Sequence, residues 1–217
     1  MQNVFDDFAQ SAARVPDHTA VELQRRHAVD SMSYRDLLAL AERAASLAAR
    51  LGCRAGDRCA ILAENDARWI AVYLGVLRLG AVAVPLDTNY SAAQVRTIVA
   101  DCGATLLFAS PRFAGTAREA ASGLSAPPAL VLTSEGTADA ASLEDARDAA
   151  PLAGPCPARR EDPAVILYTS GTTSDPKGVV LSHGNLLAER DAAFTIVTID
   201  DRDAILGVLP LFHALAQ

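Results

Sequence analysis

Asp57-Arg-Cys-Ala-Ile-Leu-Ala63 and Ala81-Val-Ala-Val-Pro85 are two almost unbroken apolar runs. Between them stands Asp66-Ala-Arg-Trp-Ile-Ala-Val-Tyr-Leu-Gly-Val-Leu-Arg-Leu79, closed by Gly80. The outer runs have strand length and the middle one has helix length. Strands apolar along their whole length are buried on both sides, so strand, helix, strand of this kind predicts a parallel sheet covered on both faces. The crossover between such strands is right-handed.

The same alternation continues outward. Downstream, Ser91 caps a helix to Asp101 with Val95, Ile98 and Val99 inward and Gly103 beyond its end. Ala104 to Ala109 is a strand, Pro111 to Ser122 a helix and Pro128 to Thr133 another strand. Upstream, Asn3 to Arg14 has helical spacing and His18 to Leu23 reads as a strand. Ser33 opens a helix with Leu37, Leu38, Leu40, Ala41, Ala44, Leu47, Ala48 and Leu51 on its apolar face, and Gly52 stands at the usual stop. The expected fold class is α/β, a mostly parallel sheet with helices on both faces. Ala67 to Pro85 approaches the length of a membrane span, about 20 residues. Arg68 and Arg78 interrupt it, and Gly80 divides it into a helix and a strand. Trp69 and Tyr73 share one helical face and are expected in the core.

With 51% hydrophobic and 21% charged residues the chain is expected to fold rather than remain disordered. Its net charge of −7 and pI near 5.0 offer no basic field to nucleic acid or an anionic membrane. The four cysteines, Cys53, Cys59, Cys102 and Cys156, form no C-x-x-C pair and no cluster with histidine, so reduced thiols and no metal site are expected. Met1 to Asp7 is acidic and lacks the pattern of a signal peptide. A cytoplasmic setting follows as the expectation.

Three parts are expected: a first α/β substructure at 1–133, a surface linker at 134–162 and a second segment at 163–217. Pro151, Pro155, Pro157 and Pro163 disfavour regular structure in the linker, where Leu143 to Ala149 can form one short helix. In the last segment, Ser182 or Asn185 caps a helix to about Phe194, and Asp200 to Asp203 forms an acidic turn. Ala204 to Leu209 reads as a strand, followed by Pro210-Leu-Phe-His-Ala-Leu-Ala.

Candidate chemistry is concentrated between Pro163 and Asn185. The apolar run Ala164 to Tyr168 leads into Thr169, Ser170, Gly171, Thr172, Thr173, Ser174, Asp175, Pro176, Lys177 and Gly178, and Val179 to Leu181 leads out. Hydroxyls, glycines and one lysine on a loop between strands suit a polyphosphate, because N–H and O–H groups donate to its oxygens and the lysine balances charge. A Walker A loop does not fit, since Pro176 replaces its second glycine and Gly178 its serine or threonine. The composition is also that of an ordinary turn.

The twelve residues Tyr168-Thr-Ser-Gly-Thr-Thr-Ser-Asp-Pro-Lys-Gly-Val179 closely resemble the signature of the adenylate-forming superfamily, which includes acyl-CoA synthetases, nonribosomal-peptide adenylation domains and luciferases. Leu181-Ser-His-Gly-Asn-Leu186, Leu209-Pro-Leu-Phe-His213, Ser33-Tyr-Arg-Asp-Leu37 and Gly80-Ala-Val-Ala-Val-Pro-Leu-Asp87 extend the likeness over the whole chain. One departure is Ser174, where the family commonly has glycine. Serine there loses backbone freedom if φ is positive, which puts ATP affinity in question.

The resemblance implies two half-reactions. A carboxylate attacks the α-phosphate of Mg-ATP, giving an acyl-adenylate and pyrophosphate, and a thiol, often of coenzyme A, then takes the acyl group. Thr169, Ser170, Gly171, Thr172, Thr173 and Lys177 match the positions that hold the β- and γ-phosphates, with Lys177 the catalytic cation. His213 follows the apolar strand expected at Ala204 to Leu209, at the end where open α/β sheets place ligands, and it matches a family position beside the acyl pocket; a packed or capping histidine is the alternative. His183, at a helix start, is expected to be structural, and His18 and His27 carry no signal. ATP, Mg2+ and coenzyme A are the implied cofactors, and a small carboxylic acid, leaning to a fatty acid, is the implied substrate. The family's adenine, ribose and magnesium residues and its C-terminal lysine have no counterpart before Gln217. The likeness therefore covers the N-terminal part of the large domain, and the 217 residues are not expected to adenylate alone. An adenylation domain loading a carrier protein and a non-catalytic phosphate-binding or interaction fragment are the alternatives.

Overall fold

The computed structural model describes residues 3–137, 139–169, 177–200 and 202–213. Its main sheet has seven strands. Five are β3 (Arg58–Leu62), β4 (Val82–Pro85), β5 (Leu106–Ala109), β6 (Ala129–Leu132) and β8 (Pro163–Thr169), all parallel. The two-residue β7 (Ala141–Ser142) forms one edge, parallel to β6, and β9 (Lys177–Ser182) forms the other, antiparallel to β8. The strand order is β7-β6-β5-β3-β4-β8-β9, so the expected α/β class and parallel sheet are observed.

Alternation along the strands builds two cores. Cys59, Ile61, Leu106, Phe108 and Val131 pack on one face with helices α1 (Val4–Arg14), α2 (Tyr34–Arg50) and α3 (Ala67–Arg78). Ala60, Leu62, Leu107 and Ala109 pack on the other with α4 (Ala92–Cys102) and α5 (Ala114–Ser122). Each strand residue is thus buried on its own side, which is why these strands read as continuous apolar runs.

The helices start where capping residues stand. The Ser33 hydroxyl accepts from the Asp36 amide, and Asp66 accepts from the Arg68 amide. Ser91 and Gln94 form a reciprocal capping box, and Gly103 ends α4 at φ +60°. Each such cap contributes about 1 kcal/mol. Helices α2 and α3 approach closely because small residues line their seam. A Cβ on Gly75 would lie 2.6 Å from the Ala41 carbonyl oxygen and 2.7 Å from the Ala44 Cβ. Near the end of α3, buried Arg78 pairs with Glu42 at 2.8 Å and donates to the carbonyls of Leu152 and Gly154. Its guanidinium also lies 5.6 Å from the centre of the Phe5 ring.

Several expectations change. The strand expected at His18 to Leu23 is β1 (Thr19–Gln24), and it pairs with an unforeseen β2 (Val29–Ser33) in a hairpin outside the main sheet. Asp30, Ser31 and Ser33 hid β2, because the hairpin buries too little to need an apolar period. Residues 134–162 lack long elements, as the prolines require, but they do more than run over the surface. They supply β7, a 3-10 turn at Leu143–Ala146 in place of the expected short helix, and the buried residues Leu143, Ala146, Cys156 and Ala158. The expected strand at Ala204 to Leu209 does not form. Those residues are irregular, and Ile205, Leu206 and Val208 are strongly exposed. Apolar content alone cannot make a strand where no neighbouring strand offers ladder hydrogen bonds. After β9, α6 (His183–Ile196) opens with a Ser182–Asn185 capping box. Among the described residues no helix is long and apolar enough to cross a membrane.

Candidate active site

Strands β3, β4, β5 and β6 end together at Leu62, Pro85, Ala109 and Leu132, which defines one carboxyl edge, and β8 points the same way. Open α/β sheets bind ligands at that edge. Strand β8 joins the parallel set through Ala83 and Val165, runs past its neighbours, and is followed by β9 returning antiparallel. Thr169 and Lys177 are the terminal pair of that ladder, directly opposite each other at its open end. The structure therefore brings these two predicted residues together. Lys177 is exposed and makes no ion pair with a described residue. Ser170, Gly171, Thr172 and Thr173 lie outside the described residues, as does Ser174.

Two groups brace the mouth of the hairpin. Tyr168 stands opposite Gly178. Its hydroxyl donates to Asp101 Oδ2 at 2.5 Å. Burial, then the bond to Asp101, pushes the phenol well above its usual range, so it stays protonated and keeps donating. Asp101 lies in the last turn of α4, where a carboxylate opposes the helix dipole by roughly 0.3–1 kcal/mol. The tyrosine hydrogen bond offsets that cost. No pattern in the sequence marked this pair, since 67 residues separate its members.

His213 reaches the same edge by a different route from the one expected. It does not follow a strand. Instead Asn65, just beyond the end of β3, donates from Nδ2 to the Leu209 carbonyl and accepts from the Leu211 amide at Oδ1, each at 2.8 Å. The His213 amide then donates to the Pro210 carbonyl at 3.0 Å, forming a turn. Phe212 and His213 meet at 4.7 Å between ring centres, and His213 is exposed. In the sheet order only β4 separates β3 from β8, two steps of about 4.8 Å each.

His183 is fully buried, with Nδ1 accepting from the Val4 amide at 3.3 Å, which is a structural role as expected. Burial pushes its pKa below the ordinary value. Trp69 and Tyr73 are buried and stacked at 5.3 Å, as expected for core residues. The four cysteines are free, and the Cys53 and Cys59 thiols lie 3.5 Å apart. Among the described residues no three or more of His, Cys, Asp and Glu converge as a metal site would require. A groove of about 960 Å³ lined by Leu51, Arg118, Ala129 and Asp139 lies by the start of β6, away from the carboxyl edge.

Comparison with known proteins agrees with this arrangement. Residues 8–217 match the family model for AMP-binding enzymes. The chain is 33% identical over 186 residues to the long-chain-fatty-acid–CoA ligase FadD13 of Mycobacterium tuberculosis, covering 85% of this chain and 36% of that protein. It is 31% identical over 204 residues to surfactin synthase subunit 1 of Bacillus subtilis, covering 93% of this chain and 5% of that protein. The inhibitor-bound N-terminal domain of FACL13 from Mycobacterium tuberculosis superposes with a TM-score of 0.80 at 30% identity, covering all of this chain and 53% of that one. The chain thus spans well under half the length of these curated relatives. With residues 8–217 matched by that family model, the chain belongs to the AMP-binding enzymes.

Proposed function

We propose that this chain is the portion of an ATP-dependent acid–thiol ligase that holds the departing pyrophosphate, and that the acid is a fatty acid. The observation that carries this reading is the terminal pairing of Thr169 with Lys177 at the carboxyl edge. That pairing fixes both ends of the hydroxyl-rich loop where phosphate would bind. In the first step a carboxylate oxygen attacks the α-phosphorus of ATP, and the bond to the bridging oxygen of pyrophosphate breaks. Negative charge builds on the β- and γ-phosphates. In this reading the Lys177 ammonium, the hydroxyls of Thr169, Ser170, Thr172 and Thr173, and the backbone at Gly171 stabilise that charge. In the second step the thiol of coenzyme A attacks the acyl carbon and AMP leaves. ATP, Mg2+ and coenzyme A are the cofactors of this reading. The four free cysteines support a reducing, cytoplasmic setting.

Much of each relative lies outside the matched region, and we infer that the 217 residues do not complete a turnover alone. Two measurements test the reading. Pyrophosphate binding to this chain by calorimetry should weaken about tenfold or more in Lys177→Ala, as expected for loss of a charge-assisted hydrogen bond. Equal binding by both forms would reject the phosphate role. ATP–pyrophosphate exchange with a panel of fatty acids should be absent, and robust exchange would overturn the inference of incompleteness.

A second reading, an adenylation domain that loads a carrier protein, is favoured by the likeness to surfactin synthase subunit 1. Transfer of the acyl group from a supplied adenylate to coenzyme A or to a phosphopantetheinyl carrier distinguishes the two, using a polypeptide extended to the relatives' length.

A further inference from the structure

Glu64, Asn65 and Asp66 form the turn between β3 and α3, and each side chain is engaged in a different direction. The Ser110 hydroxyl donates to Glu64 Oε2 at 2.5 Å, tying the ends of β3 and β5 together. Asp66 caps α3 and pairs with Arg25 at 3.0 Å. Asn65, between them, faces the segment that carries His213. Its carboxamide straddles Pro210, giving its N–H to the Leu209 carbonyl and its oxygen to the Leu211 amide. The orientation of the amide follows from this network, because the flipped amide would set donor against donor and acceptor against acceptor.

A side-chain amide used this way does the work of a neighbouring strand's peptide group. It serves one carbonyl and one N–H on either side of a proline that has no N–H to offer. The residues just before this point have no ladder at all, with Ile205, Leu206 and Val208 exposed and irregular. Leu211 also packs its side chain against the core, and Asn65 supplies the polar half of the turn's attachment from a rigid element with both neighbours fixed.

We propose that Asn65 is a positioning residue for the acid-activating step, acting through the Leu209–Leu211 backbone to hold the Phe212–His213 pair at the carboxyl edge. This inference rests on the acyl-activation reading for its functional half, while its structural half stands on the contacts alone.

Hydrogen exchange on the 217-residue chain separates the two halves. In Asn65→Ala the Leu211 amide should lose about tenfold or more of its protection, with amides in β3 and β5 unchanged. Asn65→Asp keeps the acceptor for the Leu211 amide but can donate to the Leu209 carbonyl only when its carboxyl is protonated. Protection factors at 209–213 should therefore be reduced near pH 7 and recover as pH falls through the carboxylate range. A merely space-filling residue shows no such recovery. Unchanged Leu211 protection in both variants would overturn the proposal. For the functional half, Asn65→Ala in a polypeptide extended to the relatives' length should raise KM for the fatty acid about tenfold and leave KM for ATP within twofold. An unchanged fatty-acid KM, with Leu211 protection lost, would reject the positioning role while leaving the clamp. An unmutated extended protein without exchange activity would count against the acyl-activation reading and not against the clamp.

Discussion

Tyr168 and Gly178 face each other across the β8–β9 ladder, and the tyrosine ring occupies the space a side chain at 178 would need. A Cβ on Gly178 would lie 2.7 Å from Ile166 Cγ2 and 3.0 Å from Tyr168 Cζ. Glycine is required here by contact rather than by backbone angle. Gly178→Ala should destabilise the chain by about 1–3 kcal/mol, the usual cost of overpacking, measured by denaturant unfolding. Tyr168→Leu in the same background removes one of the two clashes and should recover part of that loss. Full stability in Gly178→Ala alone would contradict the ring's placement.

Removing Arg78 should be more damaging than removing any surface arginine. Its side chain is 6% exposed and that of its partner Glu42 is 18% exposed. Arg78→Met leaves Glu42 facing the core without a cation and frees two carbonyls of the 152–154 segment. The expected loss is about 3–5 kcal/mol. Arg78→Met combined with Glu42→Leu should lose less than the single change, because the stranded carboxylate is gone. A thermal melt of both variants reads the difference.

The pH dependence of stability should carry the mark of His183. Burial lowers its pKa in the folded chain from the ordinary 6.5, against the opposing pull of the Asp162 and Asp6 carboxylates. Below pH 6.5 the unfolded state binds the proton more readily than the folded one, so this contribution is complete above that pH. It is lost as pH falls towards the lower folded value. His183→Gln keeps an acceptor for the Val4 amide but does not titrate, and its stability curve should be flatter between pH 7 and pH 5. Parallel curves for the two proteins would show that His183 is not the source.

Thiol chemistry offers a test of burial. Cys53, Cys59 and Cys156 are buried, while Cys102 is partly exposed. An aromatic disulfide reagent should modify Cys102 before the other three, which react only on unfolding. The reaction should speed up with pH above neutrality, because burial holds the Cys102 thiol above its ordinary pKa. Mass mapping of the first adduct to Cys59 would argue against the packing of β3.

The parts of the fold legible in the sequence were those governed by local rules. Ser33, Asp66 and Ser91 cap helices, Gly52 and Gly103 follow helix ends, and strands buried on both faces read as apolar runs. What failed depended on partners distant in sequence. β2 is a strand because β1 lies beside it, and Ala204 to Leu209 is not one because no strand among the described residues does. At the candidate site, the two apolar runs around the polar loop stand out in the sequence, although their antiparallel pairing through Thr169 and Lys177 was not expected. Tyr168 with Asp101 and Asn65 with Leu209 do not, since each joins an ordinary polar residue to a segment 67 or more positions away.

The seam between α2 and α3 has a consequence for sequence drift. Ala41, Ala44, Ala45 and Gly75 are already among the smallest residues available, and they sit in contact. Trimming one removes at most a methyl group, roughly 1 kcal/mol of burial. Enlarging one must push two helices apart and, through α3, shift the turn on which Asn65 stands. Mutational tolerance along this seam is therefore one-sided, and substitutions that enlarge it reach the carboxyl edge of the sheet without touching a residue there.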